Sequence, residues 1–496
     1  MRRHLMDLEN CTYVPAGTPG HGYDGYLEVR RDLHPCACLL TLAQNSHMDP
    51  MLGLSSPNVA NYTAEIFRLG EGIEVEGVEH MAELLDRDIN MLANDRYENP
   101  LMFVLPLAIS PTTGSRSSIA QYINNIVDAG YPLTISLNSL ASKILFEDCD
   151  GKPKAIGVEY LLGEGLYSVD GRYNASQEAE TRSVFAKKEV IVAGGTFNTP
   201  QILKLSGIGP REELESLGIP GLVDLPAVVC IPSFVIPQNM EANDSQGNFM
   251  QDNYESTLLV EAEEPFTVAQ ESPCTATFNA SDPCFVQWNT TGDGPYSLSG
   301  GTFFLTWRSS MSWDRDADLF FLSIAGFGEY GFYPGFSART PSPREWTTTI
   351  VRIQTANPAG TVRLRSTDPR EAPEINFNYF ANRADEDLQA INEGMDLLIQ
   401  GFDNVGAPYR IVQPDPRIER NQGIMDETFS HHATSSCRMG AAGDRNARVD
   451  SKFRVNGVDN LRIVDASVFP RVPGAMPNGP TFTISRKAFE SIQEGL

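Results

Sequence analysis

A short apolar segment that ends in two glycines is the strongest constraint on the fold of this chain. Residues Val190–Ala193 run directly into Gly194-Gly195, and helical spacing follows from Thr199 to Leu205. A brief apolar run rich in β-branched residues is typical of a strand buried on both faces of a parallel sheet. Glycines at its carboxyl end let the backbone approach a bound cofactor. The pattern predicts an α/β fold, and an ordinary strand-to-helix connection without a ligand is the alternative.

The middle of the chain has a different character. Residues 211–426 are rich in turns and aromatic side chains, with alternating strands at residues 348–353 and 360–365. Alternation of this kind indicates antiparallel strands with one buried face. A length of 496 residues also exceeds one ordinary core. We therefore predict two packed units. Residues 1–210 and 427–496 would form the two parts of a dinucleotide-binding domain, and residues 211–426 a substrate domain with an antiparallel sheet and helices.

Two finer predictions concern the first of these units. Residues 133–137 alternate between apolar and polar side chains, which predicts a strand. Residues 143–147 and 157–161 predict the two arms of a hairpin. In the last part of the chain, residues 460–465 form a second short apolar strand that is followed by turns and a final helix.

The charge balance excludes one class of partner. The chain carries 64 acidic and 38 basic residues, a formal net charge of −26, and such a surface repels phosphate backbones. Apolar runs also fall short of the roughly 20 residues that a membrane-spanning helix needs. We expect a small-molecule substrate as the partner, with no nucleic acid and no membrane, and we allow for a homodimer.

Cysteines and glycosylation signals bear on the compartment. Cys274 and Cys284 bracket a short polar loop and are candidates for a local disulfide. Together with six Asn-x-Ser/Thr sites they suggest a glycoprotein on a secretory or vesicular route, although the amino-terminal residues lack the apolar centre of a signal peptide. Buried thiols in a cytosolic protein are the alternative. No Cys-x-x-Cys or His-x-x-x-His spacing predicts a metal site. The six sites are Asn10, Asn61, Asn174, Asn243, Asn279 and Asn289.

Three segments carry a family resemblance. Residues 194–210 begin with Gly-Gly-Thr-Phe-Asn-Thr-Pro and end with Ser-Gly-Ile-Gly-Pro. Residues 358–375 contain a strand and a turn, and residues 429–481 contain a histidine pair followed by a cysteine. In letters, order and spacing these segments resemble the glucose-methanol-choline (GMC) oxidoreductases, and the first is similar to that family's second sequence signature. The resemblance implies an FAD-binding, Rossmann-like domain joined to a substrate domain, and the oxidation of CH–OH groups.

The resemblance also implies site residues. His432 stands five residues before Cys437, where the family places the base that takes the hydroxyl proton while hydride passes to the flavin. His431 would point to the opposite face of extended backbone. Asn478 takes the position of the partner that hydrogen-bonds the alkoxide. The residues implied in FAD binding are Ala141 through its backbone at the adenine, Gly195, Thr199 and Pro200 near the nucleotide, and Asp465 and Ala466 near the flavin.

The sequence departs from the family pattern in two places. No Gly-x-Gly-x-x-Gly fingerprint occurs between Met1 and Ser110, and that element holds the FAD pyrophosphate at a helix N-terminus. Residues 227–238 replace an amide-rich loop on the flavin side of the family with an apolar segment. We expect that the gene model of an intact enzyme has been misassigned, and a true, inactive fragment is the alternative.

The surroundings of the histidine pair suggest a substrate class. They resemble the fungal branch of the family that includes aryl-alcohol oxidoreductases and enzymes of secondary metabolism. An aromatic or polyketide-derived alcohol is therefore the expected substrate. Non-redox cyclodehydration, a lyase reaction like that of the versicolorin B synthases in aflatoxin- and sterigmatocystin-type mycotoxin biosynthesis, is the second hypothesis. A flavin-free binding protein is the third. Aromatic candidates for a planar pocket are Phe327, Tyr330, Phe332, Tyr333 and Phe336.

Overall fold

The computed structural model describes most of the chain. The described residues are 1–31, 56–92, 99–149, 151–225, 249–266, 274–275, 277–297, 300–329, 331, 342–355, 357–444 and 446–495. Their α-helices are α1 (Arg2–Met6), α2 (Pro57–Glu71), α3 (Val78–Leu85), α4 (Ile119–Asp128), α5 (Gly195–Leu205), α6 (Arg211–Ser216), α7 (Pro283–Thr291), α8 (Ala384–Val405), α9 (Arg420–Glu427) and α10 (Asn478–Gln493). No helix within these ranges has the length and apolar character needed to cross a membrane.

The strands fall into one large sheet and several small ones. In chain order they are β1 (Glu9–Cys11), β2 (Leu27–Val29), β3 (Leu101–Phe103), β4 (Ser139–Cys149), β5 (Lys152–Leu162), β6 (Glu180–Phe185), β7 (Val190–Val192), β8 (Ile208–Gly209), β9 (Val223–Asp224), β10 (Tyr254–Ala262), β11 (Phe303–Trp307), β12 (Leu319–Ala325), β13 (Glu345–Arg352), β14 (Thr361–Arg363), β15 (Glu374–Asn376), β16 (Tyr409–Gln413) and β17 (Leu461–Ile463).

The large sheet is antiparallel and has six strands in the order β16-β10-β13-β12-β11-β3. Helices α2 and α8 cover one face, because their apolar side chains recur every three or four residues and pack on the sheet. The core at this interface contains Tyr62, Leu258, Trp346, Leu398 and Phe402. The opposite face carries a second apolar group, Phe103, Phe304, Phe320 and Val351. The predicted antiparallel sheet with helices is confirmed.

Strand β3 and helices α2 and α3 belong to this sheet and its core, whereas the domain prediction placed them with all of residues 1–210 in the dinucleotide-binding unit. Strand β3 pairs with β11, and helices α2 and α3 contribute to the same core as the six strands. The apolar stripes of α2 and α3 show that these helices are buried on one side, but a stripe does not specify which sheet covers it. The remaining boundaries stay a prediction.

The predicted parallel strands are confirmed and lie side by side. Strand β7 pairs with β17 in parallel, with Val190 opposite Leu461 and Val192 opposite Ile463. Helix α5 begins at Gly195, four residues earlier than the spacing predicted, and packs in the same core. The predicted hairpin is formed by β4 and β5, and β6 extends it to three antiparallel strands. The carboxyl ends of β7 and β17 therefore meet at one edge, next to the start of α5.

The predicted strand at residues 133–137 is wrong. This segment has no regular secondary structure, and its side chains are exposed. An alternating pattern forms a strand only when a neighbour completes its hydrogen bonds, and no described strand pairs with this segment. The predicted disulfide between Cys274 and Cys284 is formed, with the two Cα atoms 5.1 Å apart. The predictions for residues 227–238, Asn243, Tyr330, Phe332, Tyr333 and Phe336 lie outside the described residues.

Candidate active site

The histidine segment runs alongside the start of strand β10. Gln251 pairs with Thr434 and Glu255 pairs with Phe429, both in antiparallel fashion. Strictly extended backbone would turn successive side chains to opposite faces, but the prediction that His431 points away from His432 does not hold here: the two rings lie 4.5 Å apart, and Nδ1 of His431 also lies 3.7 Å from Oε1 of Glu255. The two side chains differ in exposure, since that of His432 is only 6% exposed and that of His431 is 62% exposed. Of the two histidines, His432 is the one enclosed by polar groups from β10.

Glu255 is the closest polar partner of the His432 ring. Its Oε1 lies 3.1 Å from Nδ1 of His432. The amide of Asn253 is 3.4 Å from the same ring nitrogen, but its two N–H groups donate to the carbonyl oxygens of Gly474 and Ala475 at 3.0 and 2.9 Å. The Glu255 carboxylate, at an ion-pair distance without hydrogen-bond geometry, would favour the tautomer of a neutral imidazole that carries its proton on Nδ1. This tautomer leaves the lone pair of Nε2 free to accept a proton.

Asp252 holds the backbone of the same histidine. Its Oδ1 accepts a hydrogen bond from the His432 backbone N–H at 2.9 Å, and its Oδ2 accepts from the Tyr379 hydroxyl at 3.0 Å. Burial raises the pKa of this carboxyl group from 3.8 to about 6, although these hydrogen bonds act in the opposite direction. The carboxyl group is 4% exposed. A carboxyl group with a pKa of about 6 is thus hydrogen-bonded to the His432 backbone.

The edge formed by the two parallel strands binds the histidine segment from the other side. Asp465, just after β17, accepts hydrogen bonds from the Gly195 backbone N–H at 3.0 Å and the Thr199 hydroxyl at 2.6 Å. The Thr196 hydroxyl donates to the Ala433 carbonyl oxygen at 2.7 Å. These contacts join the ends of β7 and β17 to the residues that follow His432.

Gly195 shows why this edge requires a glycine. Its φ is +81°, a conformation that side chains rarely adopt. A Cβ placed on Gly195 would meet no described atom within 4 Å, so the backbone borders open space there. Among the other predicted cofactor residues, Thr199 and Asp465 are buried and Ala466 is half-buried beside them. Pro200 is buried inside α5, while Ala141 is half-buried on β4.

A cavity of about 720 Å³ lies between the outer face of the large sheet and residues 469–476. Its apolar walls include Phe103, Phe320, Trp313 and Phe469, and Asp314, Gln354 and Arg471 add polar groups. Gln251, Gly474 and Ala475 also line it. Since Asn253 bonds to Gly474 and Ala475 and also approaches His432, the cavity wall and the histidine share one hydrogen-bonded unit.

The role predicted for Asn478, to hydrogen-bond the alkoxide, stays a prediction. This asparagine is exposed at the start of α10, and no hydrogen bond joins it to His432 among the described residues. Met476, two residues earlier, lines the cavity. The sequence reasoning missed Asp252, Asn253 and Glu255, which lie about 180 positions before His432. The only signal was a cluster of polar residues at the start of an otherwise apolar strand.

Comparison with known proteins identifies the family. Models of the GMC oxidoreductase family match residues 106–240 and 356–485, together more than half of the chain. The oxygen-dependent choline dehydrogenase of Pseudomonas fluorescens is 31% identical over 407 residues, which cover 77% of this chain and 60% of that protein. The glucose methanol choline oxidoreductase atC of Aspergillus terreus is 29% identical, over 77% of this chain and 58% of that protein.

Solved structures agree at the level of the fold. A variant of formate oxidase from Aspergillus oryzae matches with a TM-score of 0.70 and 18% identity, covering 100% of this chain and 78% of that one. A fungal aryl-alcohol oxidase matches with a TM-score of 0.66 and 18% identity, covering 99% and 78%. The chain spans about 60% of the length of the curated relatives that it matches. On the two matching family models, this chain belongs to the GMC oxidoreductase family.

Proposed function

We propose that this chain carries the proton-transfer site of an FAD-dependent enzyme that oxidises an aromatic or polyketide-derived alcohol in fungal secondary metabolism, with His432 as the base. The observation that carries the proposal is the buried His432, with Nδ1 held 3.1 Å from the Glu255 carboxylate and its backbone held by Asp252. A base for alcohol oxidation needs one ring nitrogen free and the other one held.

The pair formed by His432 and Glu255 suits proton removal from an alcohol. When Nε2 accepts the hydroxyl proton, the ring becomes positively charged, and the buried carboxylate at Nδ1 stabilises that charge. Glu255 is 5% exposed, so little water screens the interaction. Asn253 then fixes this pair against the cavity wall through Gly474 and Ala475.

The edge of the parallel strands fits a flavin nucleotide. Its backbone is open at Gly195, and the Asp465 carboxylate already orders that glycine and Thr199. In α/β folds of this kind, dinucleotides bind outside the carboxyl ends of the strands. Gly195, Thr199, Asp465 and Ala466 are the residues that would hold the group. When bound, FAD supplies the acceptor for the hydride that leaves the alcohol carbon.

The cavity supports an aromatic substrate. Flat apolar side chains, Phe103, Phe320 and Trp313, line a space of about 720 Å³, within the size range of small-molecule sites. The polar groups of Gln251 and Gln354 would fix the orientation of a hydroxylated ring. Phe327, from the predicted aromatic set, is 37% exposed and is not one of the residues that line this cavity.

Anaerobic spectroscopy tests the proposal. The chain is first titrated with FAD, and the bound flavin is then mixed with aryl alcohols, with aliphatic alcohols of similar size as controls. Loss of the oxidised flavin absorbance with the aryl alcohols alone is the expected result. Bound flavin that stays oxidised with every alcohol would contradict it. Product formed by loss of water from a polyketide-derived substrate, without a change in flavin absorbance, would support the cyclodehydration reaction instead.

We also propose a secretory or vesicular route for the protein. The support is the disulfide between Cys274 and Cys284, because disulfides persist mainly in oxidising compartments. Asn174 and Asn279 each lie in exposed turns within Asn-x-Ser sequences. Enzymatic removal of N-glycans from the natively produced protein should lower its mass. An unchanged mass together with free thiols at Cys274 and Cys284 would place it in a reducing compartment.

A further inference from the structure

Three side chains of types that bind metal ions meet in the interior near the amino terminus. Glu9, Cys11 and His21 are 5%, 4% and 2% exposed. One carboxylate oxygen of Glu9, the Cys11 sulfur and one ring nitrogen of His21 all lie within 4.8 Å of one another. The carboxylate oxygen and Nδ1 are 3.2 Å apart. A cluster of nitrogen, oxygen and sulfur donors with so little solvent exposure requires a physical explanation.

The local fold brings these residues together. Glu9 and Cys11 alternate along β1, so both side chains point to the same face. The Cys11 backbone N–H donates to the carbonyl oxygen of Gly22 at 2.9 Å, which places His21 opposite that face. A Cβ on Gly22 would lie 1.7 Å from the Met6 carbonyl oxygen, so only glycine permits this approach. The cluster is therefore built by backbone geometry, and not by flexible side chains alone.

A second, independent contact points to a cation. Nε2 of His21 lies 2.8 Å from Oδ2 of Asp88, whose other oxygen accepts hydrogen bonds from the Tyr13 hydroxyl and the Asn90 backbone. Histidines that bind metal ions usually donate their other ring N–H to a carboxylate in this way. The contact places the proton of a neutral ring on Nε2. The lone pair of Nδ1 then faces the Glu9 carboxylate, an arrangement that is repulsive unless a metal cation or a second ring proton offsets it.

We propose that Glu9, Cys11 and His21 bind one divalent zinc-class cation, with Asp88 as the positioning residue of His21. Tetrahedral zinc has bonds of about 2.0 to 2.3 Å, which separate neighbouring ligand atoms by about 3.3 to 3.7 Å. The distance of 3.2 Å between the Glu9 oxygen and Nδ1 of His21 is close to that range. A thiolate and an imidazole favour zinc or cobalt over magnesium or calcium, which prefer oxygen ligands.

The position of the cluster suggests a structural role for this cation. Asp88 directly precedes Ile89 and Asn90, and both of these line the cavity of the candidate active site. Gly22 donates its backbone N–H to the other Glu9 oxygen at 2.9 Å, so both ends of the carboxylate are engaged. A cation here would fix the amino-terminal segment to one wall of the cavity. The inference does not depend on FAD or on any redox step.

Cobalt substitution tests the site. The purified chain is treated with a chelator and then titrated with Co²⁺, whose thiolate complexes give a charge-transfer band and tetrahedral d–d bands. One Co²⁺ per chain with both features, displaced by Zn²⁺, is the expected result. The charge-transfer band should be lost in Cys11→Ser and retained in Cys149→Ser, a matched control at another cysteine that forms no disulfide. Asp88→Asn should keep the band but weaken Co²⁺ binding by about 10- to 100-fold.

Two outcomes would overturn the proposal. One is a folded wild-type chain, as judged by circular dichroism, that binds no stoichiometric Co²⁺ or Zn²⁺. His21 would then be held only by its hydrogen bonds to the Glu9 and Asp88 carboxylates. The other is a charge-transfer band that persists in Cys11→Ser, which would assign the cobalt to another cysteine. If Cys11→Ser does not fold, Glu9→Gln replaces it, and unchanged Co²⁺ affinity in that variant would count against the site.

Discussion

Replacing Asp252 by asparagine should change how the stability of the protein depends on pH. Burial raises the pKa of the Asp252 carboxyl group from 3.8 to about 6. Because the folded chain holds this proton more tightly than the unfolded chain, the stabilising contribution is fully present below pH 3.8 and is lost as the pH rises through about 6. The asparagine variant has no such proton, but its amide oxygen can still accept from the backbone N–H groups of His432 and Asn253.

The magnitude follows from the rise in pKa. One pKa unit corresponds to about 1.4 kcal/mol, so the rise from 3.8 to about 6 is worth about 3 kcal/mol in total. Raising the pH from 5 to 8 removes about half of this stabilisation, roughly 1.4 kcal/mol, from the wild type. The remainder is already lost below pH 5. Relative to the wild type, Asp252→Asn should therefore be about 1.4 kcal/mol more stable at pH 8 than at pH 5.

Urea unfolding of both proteins at pH 5 and pH 8 measures this difference. The other titrating groups are common to the two proteins and cancel in the comparison. Asp128→Asn, which changes an exposed carboxylate at the end of α4, is the matched control for replacing an acid by its amide. An Asp252→Asn difference that is the same at both pH values would refute the assignment of a buried, partly protonated carboxyl group beneath His432.

Three further predictions concern stability. Glu213→Gln should lower the free energy of unfolding in urea by about 3 kcal/mol, because it leaves the buried Lys204 ammonium without its ion pair; a loss below 1 kcal/mol would show that the pair is dispensable. Replacing Cys274 and Cys284 by serine should lower the free energy of unfolding in urea by up to about 3 kcal/mol, because the disulfide restricts the unfolded chain; an unchanged urea midpoint would contradict this. Gly195→Ala should cost about 1 to 2 kcal/mol through backbone strain at a φ of +81°, and a neutral effect would mean that the backbone relaxes.

The sequence predicted well those parts of the fold that depend on local pattern. Val190–Val192 was identified as a parallel strand because its apolar run and the following glycines are local signals. The strand Leu461–Ile463 was identified in the same way. The strand predicted at residues 133–137 does not form, because a strand also needs a pairing partner, which an alternating pattern does not encode. The assignment of residues 57–85 to the dinucleotide-binding unit could not be avoided for a related reason, since an amphipathic helix does not specify the sheet that it covers.

The same distinction applies to the candidate site: features that follow from local sequence were predictable, and contacts with residues far away in sequence were not. The family resemblance implied His432 through its spacing to Cys437, and this histidine is the more buried of the pair, although both rings approach Glu255. Its carboxylate partners could not be found, because Asp252 and Glu255 come from the start of a strand far away in sequence. The cluster of Glu9, Cys11 and His21 could not be predicted, because its residues follow no standard metal-binding spacing. Only the pairing of β1 with β2 and the close approach at Gly22 bring these residues together.

The rate of flavin reduction in His432→Ala tests the central claim most directly. Wild-type chain, His432→Ala and His431→Ala would be loaded with FAD and mixed anaerobically with an aryl alcohol that reduces the wild type. Because His432 is assigned as the base, its loss should slow flavin reduction by about 10²- to 10⁴-fold. His431→Ala, at the exposed neighbouring position, should reduce the flavin at nearly the wild-type rate. Equal rates in His432→Ala and the wild type would contradict the assignment of His432 as the catalytic base.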